Sequence, residues 1–562
     1  MPRSPDTDID IDTDTATDCR DRSAGVPTEW VLLAVSLLWA LTCHAPFFSA
    51  ALRGRAWGES GTWAFAAALG VGLLALNFVV LALLCHGRLF KPVLALLLVV
   101  AAGATHFMQT FGVYLDPSML RNALRTDVGE ARELLSLGFA ARVLLQAGLP
   151  IALLWWVPLR QRSWARVLGL RLLWTVGGLA VLVGTVLAVF QPLASLMRNH
   201  KEIRYLITPT NVLWSTGSVV AQDLKGAAKP RQPIGLDAQP GPQMQTRTRP
   251  TVLVVVVGET ARAANWGLNG YARQTTPALA KIPGLVNFRQ VTSCGTNTEV
   301  SVPCMFAPVG RRDYDEATIR GSESLLHVLH RAGVGVLWRD NQSGCKGVCE
   351  GLPSEEVLVQ NPPGLCRDGR CLDEALLHGL DERLAQAKGT QVLVLHQLGN
   401  HGPSYFRRYP EAFAAFQPAC QHDDLRQCSA AEIVNAYDNV LLYTDHVLAS
   451  LIARLQARSA AVDSAVVYVS DHGESLGEAN LFLHGLPYAI APDVQKQVPM
   501  VMWFSEGLSR SAGLDSDCLR RRATQPAAHD HLFHTVLGLA DVRTALYAPE
   551  WDLLRDCRKG AP

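Results

Sequence analysis

VLVVVVGE, residues 252–259, is an apolar and largely β-branched run that stops at a glycine and a carboxylate. A strand with one face in water alternates apolar and polar residues, and this one does not, so both of its faces must be buried. Similar runs recur at GVGVLWRD (333–340), QVLVLHQLGN (391–400), SAVVYVSDHGE (464–474) and VPMVMWF (498–504). Helical segments such as SESLLHVLHRAG (322–333) and IVNAYDNVLLYTDHVLASLIARLQAR (433–458) separate them. The alternation predicts an α/β domain over residues 251–562, with a largely parallel sheet between two helical layers and ligands at the carboxyl ends of the strands.

Upstream the composition changes. Five apolar runs qualify as membrane spans: about Trp30–Ala50, Trp63–Cys85, Pro92–Tyr114, Val143–Val157 and Leu172–Phe190. The fourth reaches the usual length of about 20 residues only if it extends over Ala140–Leu159. A five-helix membrane domain is therefore expected at 28–193. It is preceded at 1–27 by an acidic segment, DTDIDIDTDTATD, read as a disordered cytoplasmic tail and not as the basic start of a signal peptide. Arg160, Arg162 and Arg166 crowd the fourth loop and tip the positive-inside balance, although Arg121, Arg125 and Arg132 in the third loop oppose it. Five spans from an inside N-terminus leave everything after Phe190 outside the cytoplasm. Residues 194–250 read as amphipathic bridging helices along the membrane surface, followed by a Pro/Gly/Gln-rich linker. The formal net charge of +1 gives no sign of a nucleic-acid partner.

Cysteine usage tests the orientation. Ten of the 13 cysteines follow Gln290. Close neighbours suggest disulfides Cys294–Cys304, Cys345–Cys349, Cys366–Cys371 and Cys420–Cys428 in an oxidising periplasm. Cys518 and Cys557 pair only by elimination. Zinc sites are the rival reading, but these cysteines sit in Gly-rich loops without neighbouring histidines.

The strand ends carry the chemistry. Glu259 arrives where the first strand stops, and Asp471 with His472 arrive from another strand at the same sheet edge. Two carboxylates and an imidazole form a hard oxygen-and-nitrogen ligand set suited to Zn2+, with a fourth position open. A threonine oxygen placed there would be acidified, and the SCGTNTEVSVPCMF ring (293–306) holds candidate hydroxyls still. His401 and His484 lie in loops and read as functional, whereas His396, nearer a strand interior, is as easily a core residue.

The strings GETARAANWGLNGYARQTTP, SCGTNTEVSVPCMF, LWRDN, HQLGNHGPSYFRRYP, NAYDNVLLYTD and SDHGESLGE…LHG resemble the phosphoethanolamine transferases that modify lipid A in Gram-negative inner membranes. The resemblance covers nearly the whole chain and implies a periplasmic α/β/α sandwich of alkaline-phosphatase-like fold. It puts the nucleophile at Thr298 and the zinc ligands at Glu259, Thr298, Asp471 and His472. It puts substrate-phosphate or second-zinc contacts at Thr296, Lys346, His401, Glu474 and His484. Gln342 stands where many relatives carry asparagine, and Glu299 replaces a small residue, with no evident role for its charge. The implied reaction moves phosphoethanolamine from phosphatidylethanolamine to a lipid A phosphate through a phosphothreonine-type intermediate, with protonated His401 or His484 assisting. Such a modification reduces negative charge and polymyxin binding. A monomer is expected. Transfer to a core sugar, or a phosphodiesterase or phosphoglycerol transferase on the same metal site, are the alternatives.

Overall fold

The computed structural model describes residues 25–559 except 127, 161, 228, 229 and 368. Most of the acidic segment at 1–27 lies outside the described residues. The chain falls into two compact units. One runs to Gln109 and resumes over Phe139–Leu213; the other comprises Thr110–Gly138 and Trp214–Pro562.

Among the described residues, four helical segments are long and apolar enough to cross a membrane: Ser60–Leu84, Gly87–Phe111, Leu137–Trp156 and Ala165–Ala188. Thr28–Thr42 and Ala45–Ala51, bent by 55°, make a fifth if the pair is one span. Pro46 lies in the first turn of the second helix of that pair, and its missing N–H explains why the run breaks there instead of continuing straight. In the fourth span a π turn, Leu144–Gly148, precedes Pro150 and joins two helices into the longer segment. Leu172, Leu173 and Leu187 are exposed, as lipid-facing side chains must be. The 194–250 stretch contains the end of a helix over Phe190–Asn199, a 3-10 turn at Lys201–Leu206 and a helix over Thr210–Ala227.

The second unit is built on an eight-stranded sheet: β1 (Thr251–Gly258), β2 (Val286–Thr292), β3 (Gly335–Asp340), β4 (Ser354–Glu356), β5 (Thr390–His396), β6 (Asp463–Ser470), β7 (Gln497–Phe504) and β8 (Ala527–Ala528). Their spatial order is β8-β2-β7-β6-β1-β5-β3-β4. All neighbours are parallel except β7, which runs antiparallel to both β2 and β6. The sheet is thus mixed but mostly parallel, with the alkaline-phosphatase-like arrangement expected. Strands β2, β4 and β8 were not foreseen, because none is a continuous apolar run.

Every residue of β1 is buried. Leu253, Val255 and Val257 enter one core with helices Leu325–Arg331 and Asp530–Ala540. Val252, Val254 and Val256 enter the other, with the 28-residue helix Ala430–Ala457. Each such side chain contributes on the order of 1.5–3 kcal/mol relative to exposure, so the centre of the sheet is a stiff base for the residues at its end. Five disulfides, Cys294–Cys304, Cys345–Cys349, Cys366–Cys371, Cys420–Cys428 and Cys518–Cys557, tie down the surrounding loops.

Candidate active site

Adjacent parallel strands β1 and β6 end in register, Gly258 opposite Ser470, so the residues that follow each meet at one edge. Glu259, Asp471 and His472 are buried there with one potential ligand atom from each within 4.8 Å of the others. His472 Nε2 lies 3.4 Å from Glu259 Oε1 and 3.3 Å from Asp471 Oδ2. Close backbone approach makes this possible. A Cβ on Gly473 would lie 2.0 Å from the Val494 carbonyl oxygen, and one on Gly399, at φ +49°, would lie 2.6 Å from that of Glu259. Thr260 takes a left-handed φ of 59°, which costs a non-glycine residue free energy. In that conformation its hydroxyl donates to Glu259 Oε1 at 2.6 Å and its N–H donates to Asp471 Oδ1 at 3.2 Å.

The donor set fits a zinc ion. His472 Nδ1–H donates to the Gly473 carbonyl at 3.0 Å, which leaves Nε2 with its lone pair. Asp471 Oδ2 is buried and accepts no hydrogen bond, with His472 Nε2 3.3 Å away, and a buried charged oxygen that accepts none is costly. The protons of the cluster respond to its crowding. Burial, then the charge of Glu259, pushes Asp471 up to about 7. Burial opposes the charge on His472, but Asp471 and Glu259 outweigh it and hold the ring up at about 10. A divalent cation would take the place of that proton and relieve both shifts.

Thr298 opens helix α1 (Thr298–Met305), capped by the Asn297 side chain, which accepts from the Val300 N–H. Its Oγ1 donates to Glu259 Oε2 at 3.1 Å and lies 3.4 Å from His472 Nε2. Gln342 reaches the same carboxylate, donating from Nε2 to Glu259 Oε2 at 3.2 Å. The His484 and His472 rings are 4.3 Å apart at their centroids, and those of His401 and His484 are 5.6 Å apart. Burial pushes both His401 and His484 down to about 3. The low polarity that packs them disfavours the cation and favours the neutral ring in each case. Glu474, raised well above the usual carboxylate range by burial, accepts from Tyr405 Oη at 2.9 Å and lies 3.0 Å from His484 Nδ1. Thr296 Oγ1 donates to the Leu486 carbonyl at 2.6 Å.

Glu299 gains a physical setting. Its carboxylate is fully buried and lies 3.1 Å from Arg125 Nη1, 3.1 Å from Arg320 Nη2 and 3.4 Å from Lys346 Nζ. One anion next to Thr298 thus gathers three cations. Lys346 Nζ also donates to Ser343 Oγ at 2.6 Å.

The family model described as phosphoethanolamine transferase EptA/EptB matches residues 73–224, and the one described as sulfatase matches residues 251–542. The chain is 38% identical over 542 residues to phosphoethanolamine transferase EptA of Escherichia coli (strain K12), an alignment that covers 94% of this chain and 97% of that one. The chain belongs to the phosphoethanolamine transferase family. It is also 38% identical to phosphatidylethanolamine transferase Mcr-1 of Escherichia coli, over 92% of this chain and 95% of the relative. The integral membrane lipooligosaccharide phosphoethanolamine transferase A of Neisseria meningitidis superposes with a TM-score of 0.91 at 37% identity, covering 95% of this chain and 100% of that one. Like other members of the phosphoethanolamine transferase family, the chain is a multi-pass inner-membrane protein with a periplasmic catalytic domain.

Three residues of this family member have roles at the site that the sequence did not reveal. Asp340, at the end of β3, accepts from His396 Nδ1 at 2.8 Å and from the N–H groups of Gln342 and Gly344. It sets the loop that carries Gln342 and Lys346, and it shows His396 in a packing role. His529 accepts the Cys294 N–H at Nδ1 and donates from Nε2 to the Ser470 carbonyl, so it ties the disulfide ring to the strand that delivers Asp471. Arg125 comes from a helix far upstream. The only hint in the sequence was the terminal carboxylate of LWRD.

Proposed function

We propose that the chain transfers phosphoethanolamine from phosphatidylethanolamine to a lipid A phosphate, in two steps through Thr298. The observation that carries this reading is the buried Thr298 hydroxyl at a helix start, 3.1 Å from Glu259 and 3.4 Å from His472. Glu259, Asp471, His472 and Thr298 would hold the zinc ion. When bound, it would supply positive charge that acidifies a neighbouring hydroxyl and offsets the charge of phosphate oxygens.

Glu259 Oε2 accepts the Thr298 hydroxyl hydrogen and so aims a lone pair of Oγ1 outward. Oγ1 attacks the phosphorus of the donor; the Oγ–P bond forms as the bond to the diacylglycerol oxygen breaks, and that oxygen leaves with a proton. A phosphate oxygen of lipid A then attacks the same phosphorus and frees Thr298. Lys346 supplies charge beside the transferred group, while Gln342 and the neutral His401 and His484 offer hydrogen bonds to its oxygens; Thr296, whose hydroxyl donates to the Leu486 carbonyl, shapes the substrate pocket. Glu474 and Tyr405 hold the His484 ring in place. Both substrates are lipids, and membrane attachment spares the cost of lifting them into water, about 0.8 kcal/mol per methylene. The protein acts as a monomer.

Incubation with labelled phosphatidylethanolamine should give a phosphoethanolamine adduct on the Thr298 peptide, discharged on adding lipid A. Label found in lipid A without any protein adduct would defeat the two-step reading. A chelator is expected to abolish transfer while the thermal unfolding curve moves little, because the sheet and five disulfides hold the fold. Cooperative unfolding on chelation would make the metal structural instead.

A further inference from the structure

A cavity of about 700 Å³ is lined by Arg132, Arg367, Arg370 and Arg407 with Glu133 and Asp423 as its carboxylates. Both carboxylates are already engaged by arginine. Glu133 pairs with Arg370 and, at 2.7 Å, with the buried Arg408; Asp423 pairs with Arg407 at 3.1 Å. The lining carries four guanidinium groups to two carboxylates, and guanidinium groups match phosphate oxygens in geometry and charge. Arg367 and Arg370 face each other on a two-stranded hairpin clamped by Cys366–Cys371, so their backbones are fixed in advance.

Two hydrogen bonds tie the cavity wall to the backbone of His401. Leu398 lines it, and the Leu398 carbonyl accepts the His401 N–H. Arg408, held by Glu133, donates from Nε to the His401 carbonyl at 2.9 Å. None of Thr298, Glu259, Asp471 and His472 lines the cavity.

We infer that this arginine-lined cavity is the seat of the acceptor, a saccharide headgroup bearing phosphomonoesters. This rests on the transfer reading above. The donor headgroup is a zwitterion with one phosphodiester and one ammonium, and an excess of arginine gives it no preference. A multiply phosphorylated sugar is a polyanion, and the cavity has room for a sugar ring with its phosphate where a lone phosphate would leave it mostly empty.

The test separates the two half-reactions. Arg132 and Arg367 are exposed, so the double variant Arg132→Ala/Arg367→Ala should fold, and Arg132→Lys/Arg367→Lys keeps the charge. Adduct formation from phosphatidylethanolamine should stay within about twofold of wild type in both. Binding of diphosphorylated lipid A in detergent micelles should weaken roughly tenfold or more in the alanine variant and recover in the lysine variant, the scale expected of charge-assisted hydrogen bonds. Dephosphorylated lipid A should bind all three alike, and inorganic phosphate should not compete. Equal binding of lipid A by wild type and the alanine variant overturns the inference, as does a loss of adduct formation as large as the loss of binding. Competition by inorganic phosphate would identify a simple anion site and also overturn it. Because the binding arm needs no turnover, a wild-type protein that never forms the adduct would defeat the transfer reading alone.

Discussion

Thr298→Ala is expected to lower phosphoethanolamine transfer by at least about a thousandfold, because no other hydroxyl takes the place of the attacking oxygen. The loss should be chemical and not structural. Without Oγ1, Glu259 still accepts from Thr260 Oγ1 and Gln342 Nε2, and the helix cap from Asn297 remains. The unfolding temperature should therefore change little. Thr298→Ser keeps the hydroxyl but loses the methyl that fixes its rotamer, so it should retain part of the activity. Mass spectrometry of lipid A from cells that express each variant reads the outcome. Transfer by the alanine variant within tenfold of wild type would remove Thr298 from the chemistry.

Glu299→Ala should cause the largest loss of stability. The change removes the carboxylate beside Lys346, whose side chain is 4% exposed, and one of the two carboxylates beside Arg320 and beside Arg125, which keep Glu316 and Asp223. Removing one partner of a buried ion cluster leaves uncompensated charge and costs about 3–5 kcal/mol, enough to lower the unfolding temperature by several degrees. Transfer should fall as well, since Lys346 loses the contact that holds its ammonium near Thr298. Glu299→Gln fills the same space without the charge and should lie between wild type and alanine. Calorimetry of purified protein decides this, and an alanine variant that melts with wild type would show that the three cations do not depend on Glu299.

Much of the catalytic edge was legible because parallel strands end together. Glu259, Asp471 and His472 each follow a buried apolar run, and the structure places all three in one cluster. The membrane runs were equally plain, since length and apolarity are local properties, though Pro46 and Pro150 shaped their breaks. The cation side of the site was not legible. Arg121, Arg125 and Arg132 entered the sequence reading only as loop charges. Yet Arg121 pairs with Glu316 and Arg125 with Glu299, and Glu133 beside Arg132 pairs with Arg370 and Arg408. These partners lie far apart along the chain, and nothing in local spacing announces them. Strand β2 was hidden for a different reason: its Asn287, Arg289 and Gln290 interrupt the apolar pattern, as the half-buried pattern of the strand allows.

Anomalous scattering at the zinc edge from crystals of the full chain tests the central claim most directly. A peak bonded to Glu259, Asp471, His472 and Thr298, lost when Asp471 is changed to asparagine, is the predicted result. Protein that transfers phosphoethanolamine at full rate yet shows no peak among these four residues would contradict it.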